Sequence, residues 1–200
     1  MTGPRSVRTG QRFGQNVVVA GSDEDEVSSV REASVPATAS GLTHVRADGS
    51  AYMVDVSGKA VTAREASAAG RVLLSGAAVE ALRSRAVPKG DALAVARIAG
   101  IQAVKATPSL IPLAHPIAVH GVAVDLTVVE DGVDIAATVR TADRTGIEME
   151  ALTAVTVAAL ALIDMVKAVD KHARITDVRV TAKSGGRSGD WSEADEEAQS

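Results

Sequence analysis

The chain has 200 residues, of which 46% are hydrophobic and only 2% aromatic. That length allows one ordinary domain, and its core must be built from Ala, Val, Leu and Ile side chains. A formal net charge of −4 and the scarcity of aromatic rings argue against a basic nucleic-acid binder that stacks bases. Because the chain has no cysteine, disulfides, thiolate zinc sites and cysteine nucleophiles are excluded.

The two ends of the chain are polar and are expected to lie outside the folded domain. Residues 1–40 are rich in Ser, Gly and charge and predict a mostly disordered arm, and residues 191–200 predict an acidic tail. The N-terminus lacks the apolar core of a signal peptide. The longest apolar stretch, Ala151–Ile163, is shorter than the roughly 20 residues of a membrane span. We therefore expect a soluble, cytoplasmic protein.

Hydrophobic periodicity and turn residues predict the elements of residues 41–190. In chain order these are a β-like segment at Tyr52–Val56, a strand end at Arg71–Leu74, helices at Ala77–Arg85 and Gly90–Ala106, strands at Val122–Val129 and Val133–Val139, a helix opening near Thr145, and a strand at Ile175–Ala182. Asp131 and Gly132 predict a hairpin turn. Pro108 and Pro112 are expected to stop the second helix.

The order of these elements predicts the fold class. The elements follow one another as in the split β-α-β arrangement: strand, helices, strand, hairpin, strand, helix and strand. The expected fold is α+β, a ferredoxin-like antiparallel sheet with helices packed on one face. Residues 41–190 are expected to form this domain.

The helix that opens near Thr145 carries charge at both ends of an apolar rod. Thr145 and Glu148 fit a capping box, and Asp164 with Lys167 fits a surface pair at i and i+3. Every charge therefore has a structural explanation. The middle of the helix is apolar all round, however, which predicts burial on several sides with help from a second subunit.

Two loops and one turn are candidates for chemistry. A stiff, proline-flanked segment, Leu110–Pro116, displays His115, which suits a general acid or base or a hydrogen-bond donor to phosphate. The alternative is a structural hydrogen bond from His115 to a backbone carbonyl. Glycines and cations in Lys183–Gly189 suit either an anion-binding loop or a flexible linker. Lys89 stands in a basic turn before a helix N-terminus, which also favours anions. Without a second well-spaced ligand, no metal site or other cofactor is expected.

Five motifs appear in order: LTHVRADGSAYMVDVSGK, KGDALAVARIAGIQAVKATPSLIPLAHP, TGIEMEAL, DMVKAV and AKSGGRSGDW. From about Leu42 to Trp191, the chain resembles the molybdenum-cofactor biosynthesis protein C family of cyclic pyranopterin monophosphate synthases. The resemblance implies a phosphorus–oxygen lyase that converts 3′,8-cyclo-7,8-dihydro-GTP to cyclic pyranopterin monophosphate and releases pyrophosphate. It also implies a homohexamer, a trimer of dimers with sites at the dimer interface. No nucleic-acid or membrane partner is expected.

The resemblance implies the site residues as well. The residues expected to be catalytic are Asp164, Lys167, His115, Glu148, Lys89 and Lys183. Those expected to bind substrate are Leu113, Ala114, His115, Glu148, Met149, Glu150 and Arg187. Two departures are visible: Ala114 stands where many relatives carry Cys, and Arg144 and Arg187 stand where Lys is frequent. On this basis Lys89, Lys183 and Arg187 are expected to hold the triphosphate.

The spacing of the two charged ends predicts how the site is built. Glu148 and Asp164 are 16 positions apart, and at helical rise that is about 24 Å. Two copies packed antiparallel would bring the Glu148 end of one chain to the Asp164 end of the other. Two other classes of function stay open: a ligand-sensing module without catalysis, and an oligomerisation domain whose charges are structural.

Overall fold

The structure is a computed structural model that describes residues 49–187 and 189–197. The arm predicted for residues 1–40 lies outside these described residues. In chain order the described residues form β1 (Thr62–Leu73), α1 (Gly76–Arg83), α2 (Ala92–Leu110), β2 (Val119–Val128), β3 (Gly132–Asp143), α3 (Glu148–Val166), β4 (Arg174–Ser184), β5 (Trp191–Ser192) and α4 (Glu193–Glu197).

The strands form one antiparallel sheet in the order β2-β3-β1-β4-β5. The first four positions are those of the split β-α-β arrangement, in which the first and last long strands pair at the centre. The expected α+β, ferredoxin-like class is therefore confirmed. The hairpin predicted at Asp131 and Gly132 is present, since only three residues separate the end of β2 at Val128 from the start of β3 at Gly132.

The core lies between one face of the sheet and the two long helices. Alternate β1 residues, among them Ala66, Ala68 and Val72, are buried beneath α3, which packs against β1, β3 and β4. Helix α2 packs on α3 and β2. A Cβ at Gly100 would lie 2.9 Å from the Ala154 carbonyl oxygen of α3, so the two helices meet almost backbone to backbone.

Helix α3 is the one helix among the described residues that is long and apolar enough to cross a membrane. Half of that stretch is buried inside the protein, where it forms the core. Core helices of soluble proteins meet the same length and composition criteria, so this helix is weak support for a membrane span.

Two sets of loops lie at opposite ends of the molecule. Helices α2 and α3 are antiparallel, because Lys89 before α2 contacts Asp164 in the last turn of α3. The amino end of α3 therefore gathers residues 49–61, 111–118, 144–147 and 185–187, and the carboxyl end gathers residues 74–91, 129–131 and 167–173. We call these the amino end and the carboxyl end of the domain.

The segment Tyr52–Val56 is not a strand, contrary to the prediction. Its carbonyls have other partners: Val54 O lies 2.8 Å from His115 Nε2, and Val56 O accepts from Lys59 N at 3.0 Å. The first long strand begins only at Thr62, ten residues after Tyr52.

Helix α2 continues through Pro108 to Leu110, so the prediction that Pro108 stops it was wrong. Proline removes one N–H from the helix ladder, and near the C-terminus that loss is small. The ladder resumes at once, with Ile111 N donating to Thr107 O at 2.9 Å.

The capping box expected at Thr145 is not formed. Helix α3 begins after Ile147, and no side chain caps it. Glu148 instead folds its carboxylate over Gly146, so closely that a Cβ there would overlap it, and faces Lys183 at 3.5 Å. A charged partner thus takes the carboxylate that a capping box would use.

The first residues of the predicted acidic tail belong to the domain. Trp191 and Ser192 form β5, which pairs with Lys183 and Ala182 of β4. Helix α4 follows directly, and Glu193 binds Arg179 at 2.6 Å.

Candidate active site

The carboxyl end carries an aspartate between two lysines. Asp164, in the last turn of α3, accepts from Lys89 Nζ and from Lys167 Nζ, each at 2.7 Å. Lys89 also donates to the Asp164 backbone carbonyl at 2.8 Å. Lys89 is aimed by a tight turn, in which Gly90 adopts a φ of +100° and Asp91 caps α2. The i, i+3 pair expected from the sequence is confirmed and has gained a second cation.

These two ammonium groups fix the charge of Asp164. The pKa of Asp164 is lowered to about 2, mainly by the hydrogen bond from Lys167 and next by the hydrogen bond from Lys89. The carboxylate is therefore ionised throughout the neutral range and is poorly suited to donating a proton. What it does in this arrangement is to orient two lysines toward the same stretch of surface.

The amino end carries a second cluster of acid–base groups. Glu148 opens α3 and pairs with Lys183 at the end of β4, and both side chains are about one-third exposed. His115 is half-buried in the loop between α2 and β2, and its Nε2 bonds the Val54 carbonyl oxygen. With Nε2 donating, Nδ1 of the neutral ring is left as the acceptor. The structural bond that the sequence left open as an alternative is thus present, and it orients the ring.

The other residues expected to bind substrate also lie at the amino end. Leu113 and Met149 are exposed, and Ala114 is half-buried in a turn closed by its N–H on Ile111 O at 3.0 Å. Glu150 differs, because only 2% of it is exposed. Burial raises its pKa, and the charge of Glu148 adds to the effect. In the single chain its carboxyl is screened from solvent, unlike the neighbouring Met149.

Sequence reasoning missed a cationic hollow at the amino end. It has a volume of about 530 Å³ and contains the predicted Arg187. The cations that line it are Lys59, Arg64, Arg144 and Arg187. Lys59 and Arg64 stand just before and within β1, and Arg144 follows β3. They converge because Thr62 of β1 pairs with Asp143 of β3, a long-range register that local spacing does not reveal.

A second hollow, of about 560 Å³, lies on the sheet face that the helices leave uncovered. Its charges largely neutralise one another: Arg71 binds Asp134 at 2.5 Å and 3.0 Å and approaches Asp131 at 3.8 Å. It contains none of the expected site residues. The candidate site residues therefore all lie away from this hollow, at the two ends of α3.

The structure separates the expected residues into two groups. Lys89, Asp164 and Lys167 lie at the carboxyl end. The remaining members lie at the amino end: Leu113, Ala114, His115, Glu148, Met149, Glu150, Lys183 and Arg187. Within the described residues, no three His, Asp or Glu side chains converge as metal ligands would.

Acid–base side chains on loops, beside a hollow lined by cations, are typical of an enzyme that handles a small anionic substrate. Comparisons with known proteins agree with this class. A profile of the MoaC family matches residues 53–186. The chain belongs to the MoaC family.

Three relatives show how close the similarity is. The cyclic pyranopterin monophosphate synthase of Streptomyces avermitilis is 68% identical over 151 residues, 76% of this chain and 89% of the relative. That of Corynebacterium glutamicum is 58% identical and is covered over 97% of its length. Cyclic pyranopterin monophosphate synthase 2 of Mycobacterium bovis is 55% identical over 150 residues, 75% of this chain and 90% of the relative.

Proposed function

We propose that this chain is a lyase that catalyses the reaction for which its relatives are named, the formation of cyclic pyranopterin monophosphate. Its substrate is 3′,8-cyclo-7,8-dihydro-GTP, and pyrophosphate leaves. The observation that carries the proposal is the grouping of paired acid–base side chains at both ends of α3, with cations beside them. Rearranging a ring and closing a cyclic phosphate need proton transfers and a stabilised leaving group.

The geometry supports distinct roles for the two clusters. His115 and Glu148 are exposed enough to exchange protons with a bound substrate. Lys89 and Lys167, held in place by Asp164, supply donors for charge that develops in the transition state. Lys183 and Arg187 lie where a phosphate would meet cations, close to the start of α3.

One complete site needs both clusters, and a second copy of the chain supplies the missing half. Antiparallel pairing about a two-fold axis would bring Asp164 of one copy to Glu148 of the other. An apolar surface favours such pairing, since Ile98 of α2 is 57% exposed and Leu160 of α3 is 54% exposed. We extend the proposal to a cytoplasmic hexamer built as a trimer of such dimers, as in the family that the sequence resembles.

Incubation with 3′,8-cyclo-7,8-dihydro-GTP tests the proposal directly. We expect release of pyrophosphate together with the fluorescence of a pterin, and we expect Lys167→Ala to lose rate and accumulate an intermediate. Binding without turnover would favour a ligand-sensing module. Neither binding nor turnover would favour an oligomerisation domain. Full activity of Lys167→Ala would contradict the assignment of the carboxyl-end cluster.

A further inference from the structure

His115 is held by a segment that has no regular secondary structure of its own. Its Nε2 lies 2.8 Å from the carbonyl oxygen of Val54, in the stretch of chain that precedes β1. Residues 52–61 contain neither helix nor strand. Because no helix or strand ladder fixes the Val54 carbonyl, its direction depends on local contacts.

The contact with Val54 decides which nitrogen of the His115 ring can take up a proton. A carbonyl oxygen can only accept a hydrogen bond, so Nε2 carries the proton in this contact. The other nitrogen, Nδ1, has no hydrogen-bond partner within residues 49–187 and 189–197. A neutral ring held in this way is therefore protonated at Nδ1, because Nε2 already holds a proton that it donates to the carbonyl.

The turn that follows Val54 sets the direction of its carbonyl. This carbonyl belongs to the planar peptide unit between Val54 and Asp55, so fixing the backbone of Asp55 fixes the carbonyl as well. Asp55 Oδ1 accepts from Ser57 N at 2.8 Å, the bond that aspartate side chains form with the backbone two residues on. A second turn follows at once, in which Lys59 N donates to Val56 O at 3.0 Å.

Asp55 acts on this turn through its hydrogen bonds more than through its charge. Its pKa is lowered mainly by the hydrogen bond from the Ser57 N–H and next by the hydrogen bond from the Ser57 hydroxyl, whereas the charge of His115 lowers it least. Asp55 is also exposed, so water screens its charge. An uncharged side chain that accepts the same bond from Ser57 should therefore hold the turn equally well.

The backbone of His115 is restrained independently of this turn. Pro116 follows it and disfavours helical backbone angles for the residue before a proline. On the other side, Ala114 N donates to Ile111 O at 3.0 Å and closes the loop. With its backbone restrained on both sides, the ring needs only the Val54 carbonyl to fix its rotation.

We propose that Asp55 is a positioning residue for His115: its turn holds the Val54 carbonyl on Nε2, so that His115 exchanges protons with the substrate at Nδ1. The exchange with substrate rests on the proposed function, but the tautomer does not. In the step concerned, a substrate O–H or N–H group gives its proton to Nδ1, and the electron pair of that bond stays on the substrate atom. The ring becomes an imidazolium that keeps both protons until Nδ1 returns one.

Ring ¹⁵N spectra of the full chain, labelled at its four histidines, measure the tautomer in mildly alkaline buffer. The signals lost in His115→Gln assign this ring. We expect the Nε2–H tautomer at His115 in the parent and in Asp55→Asn, and a mixture of both tautomers in Asp55→Ala. His120 is the internal reference: its Nδ1 accepts from Ala142 N at 3.2 Å, so it should show the Nε2–H tautomer in every variant.

Four spectral results would overturn the proposal. The Nδ1–H tautomer at His115 in the parent would contradict the contact with Val54. An unchanged tautomer in Asp55→Ala would show that the turn does not hold the carbonyl. A change in Asp55→Asn as large as that in Asp55→Ala would show that charge acts and not the hydrogen bond. An equal change at His120 would show a general loosening of the domain.

Kinetics test whether Asp55 acts through His115. We expect Asp55→Ala to lower kcat by about tenfold or more with a smaller change in KM, and Asp55→Asn to stay near the parent. In a chain that already carries His115→Gln, Asp55→Ala should cause no further loss, because the residue through which it acts is gone. Met53→Ala is the control within the same segment: Met53 is 44% exposed, and its replacement should leave kcat unchanged.

The two measurements separate this proposal from the proposed function. The expected tautomers in a chain that does not turn over the cyclised GTP precursor would support the role of Asp55 in fixing the ring and contradict the proposed function. Turnover in which the losses from Asp55→Ala and His115→Gln multiply would overturn the positioning role and leave the proposed function standing.

Discussion

Asp170 is a buried carboxylate in the turn after α3, and only 6% of it is exposed. It accepts from Ser75 N at 2.6 Å and from His172 N at 2.8 Å, so it ties the end of β1 to the start of β4. We expect Asp170→Asn to lower the free energy of unfolding by about 1–3 kcal/mol at neutral pH, because charge-assisted bonds to backbone N–H groups are lost. Urea denaturation measures the difference.

The pH dependence of that difference has a definite sign. The pKa of Asp170 is lowered mainly by the hydrogen bond from the Ser75 N–H and next by the hydrogen bond from the His172 N–H. The stabilisation that ionised Asp170 gives the folded state is fully present above the unfolded pKa of about 3.9. It is lost as the pH falls through the lower pKa of the folded state. The difference in free energy of unfolding between the parent and Asp170→Asn should therefore become smaller in acid. Asp125→Asn, at an exposed position on the open sheet face, should stay within about 0.5 kcal/mol of the parent.

Asp164 has a low pKa for a different reason, and its replacement should affect rate rather than stability. We expect Asp164→Asn to lose turnover by about 10²-fold or more, because the two lysines lose the anion that orients them. Since the pKa of Asp164 is about 2, the loss should be constant from about pH 5 to about pH 9. Rate measurements across that range check the expectation, and a loss that grows with falling pH would assign Asp164 a proton-transfer role.

The crossing of α2 and α3 depends on small residues. A Cβ at Gly100 would lie 2.9 Å from the Ala154 carbonyl oxygen and 3.2 Å from the Ala158 Cβ, and neither helix backbone yields easily. We expect Gly100→Ala to destabilise the protein by about 1–3 kcal/mol, as overpacked cores do. Thermal and urea unfolding measure it. Gly58→Ala is the control, since a Cβ there meets nothing within 4 Å; an equal loss in both variants would contradict the close-crossing explanation.

Elements with a strong local signal could be predicted from the sequence, and elements that depend on distant partners could not. The Asp131–Gly132 turn and the apolar alternation around it define the β2–β3 hairpin locally. The first part of β1, from Thr62 to Gly70, is rich in Ala, Glu and Arg, which favour helix. It is a strand because β3 and β4 both pair with it. Tertiary pairing here overrides propensity.

The placement of the candidate site residues at the ends of one helix was predictable from the sequence, but their contacts were only partly so. Glu148 and Asp164 were expected at opposite ends of one helix, and α3 places them there. The capping role of Glu148 was wrong, because Lys183 of the distant strand β4 lies within 3.5 Å of its carboxylate. Arg64 went unnoticed, and Arg144 was noted only as a departure from the family pattern, for a similar reason. They meet only where the start of β1 and the end of β3 lie side by side.

At the scale of the whole molecule, a site shared between two copies makes a prediction that a single-chain site does not. Glu148→Gln damages the amino end, Asp164→Asn damages the carboxyl end, and each protein alone should be inactive. A mixed dimer places both changes in one site and leaves the other intact. Co-expressed or exchanged subunits should therefore recover about a quarter of the unchanged activity when half of the dimers are mixed.

The control for this complementation is a mixture of two variants that are both changed at the carboxyl end of the domain. Asp164→Asn mixed with Lys167→Ala damages the carboxyl end of both chains, so every shared site in a mixed dimer carries one change and no activity should return. Turnover with the cyclised GTP precursor, measured after subunit exchange, compares the two mixtures. Recovery in the first mixture alone requires that Glu148 and Asp164 act from different chains. No recovery in either mixture, with subunit exchange verified by mass, would contradict the shared site. It would place a complete site within one chain, although Glu148 and Asp164 of one chain lie about 24 Å apart along α3.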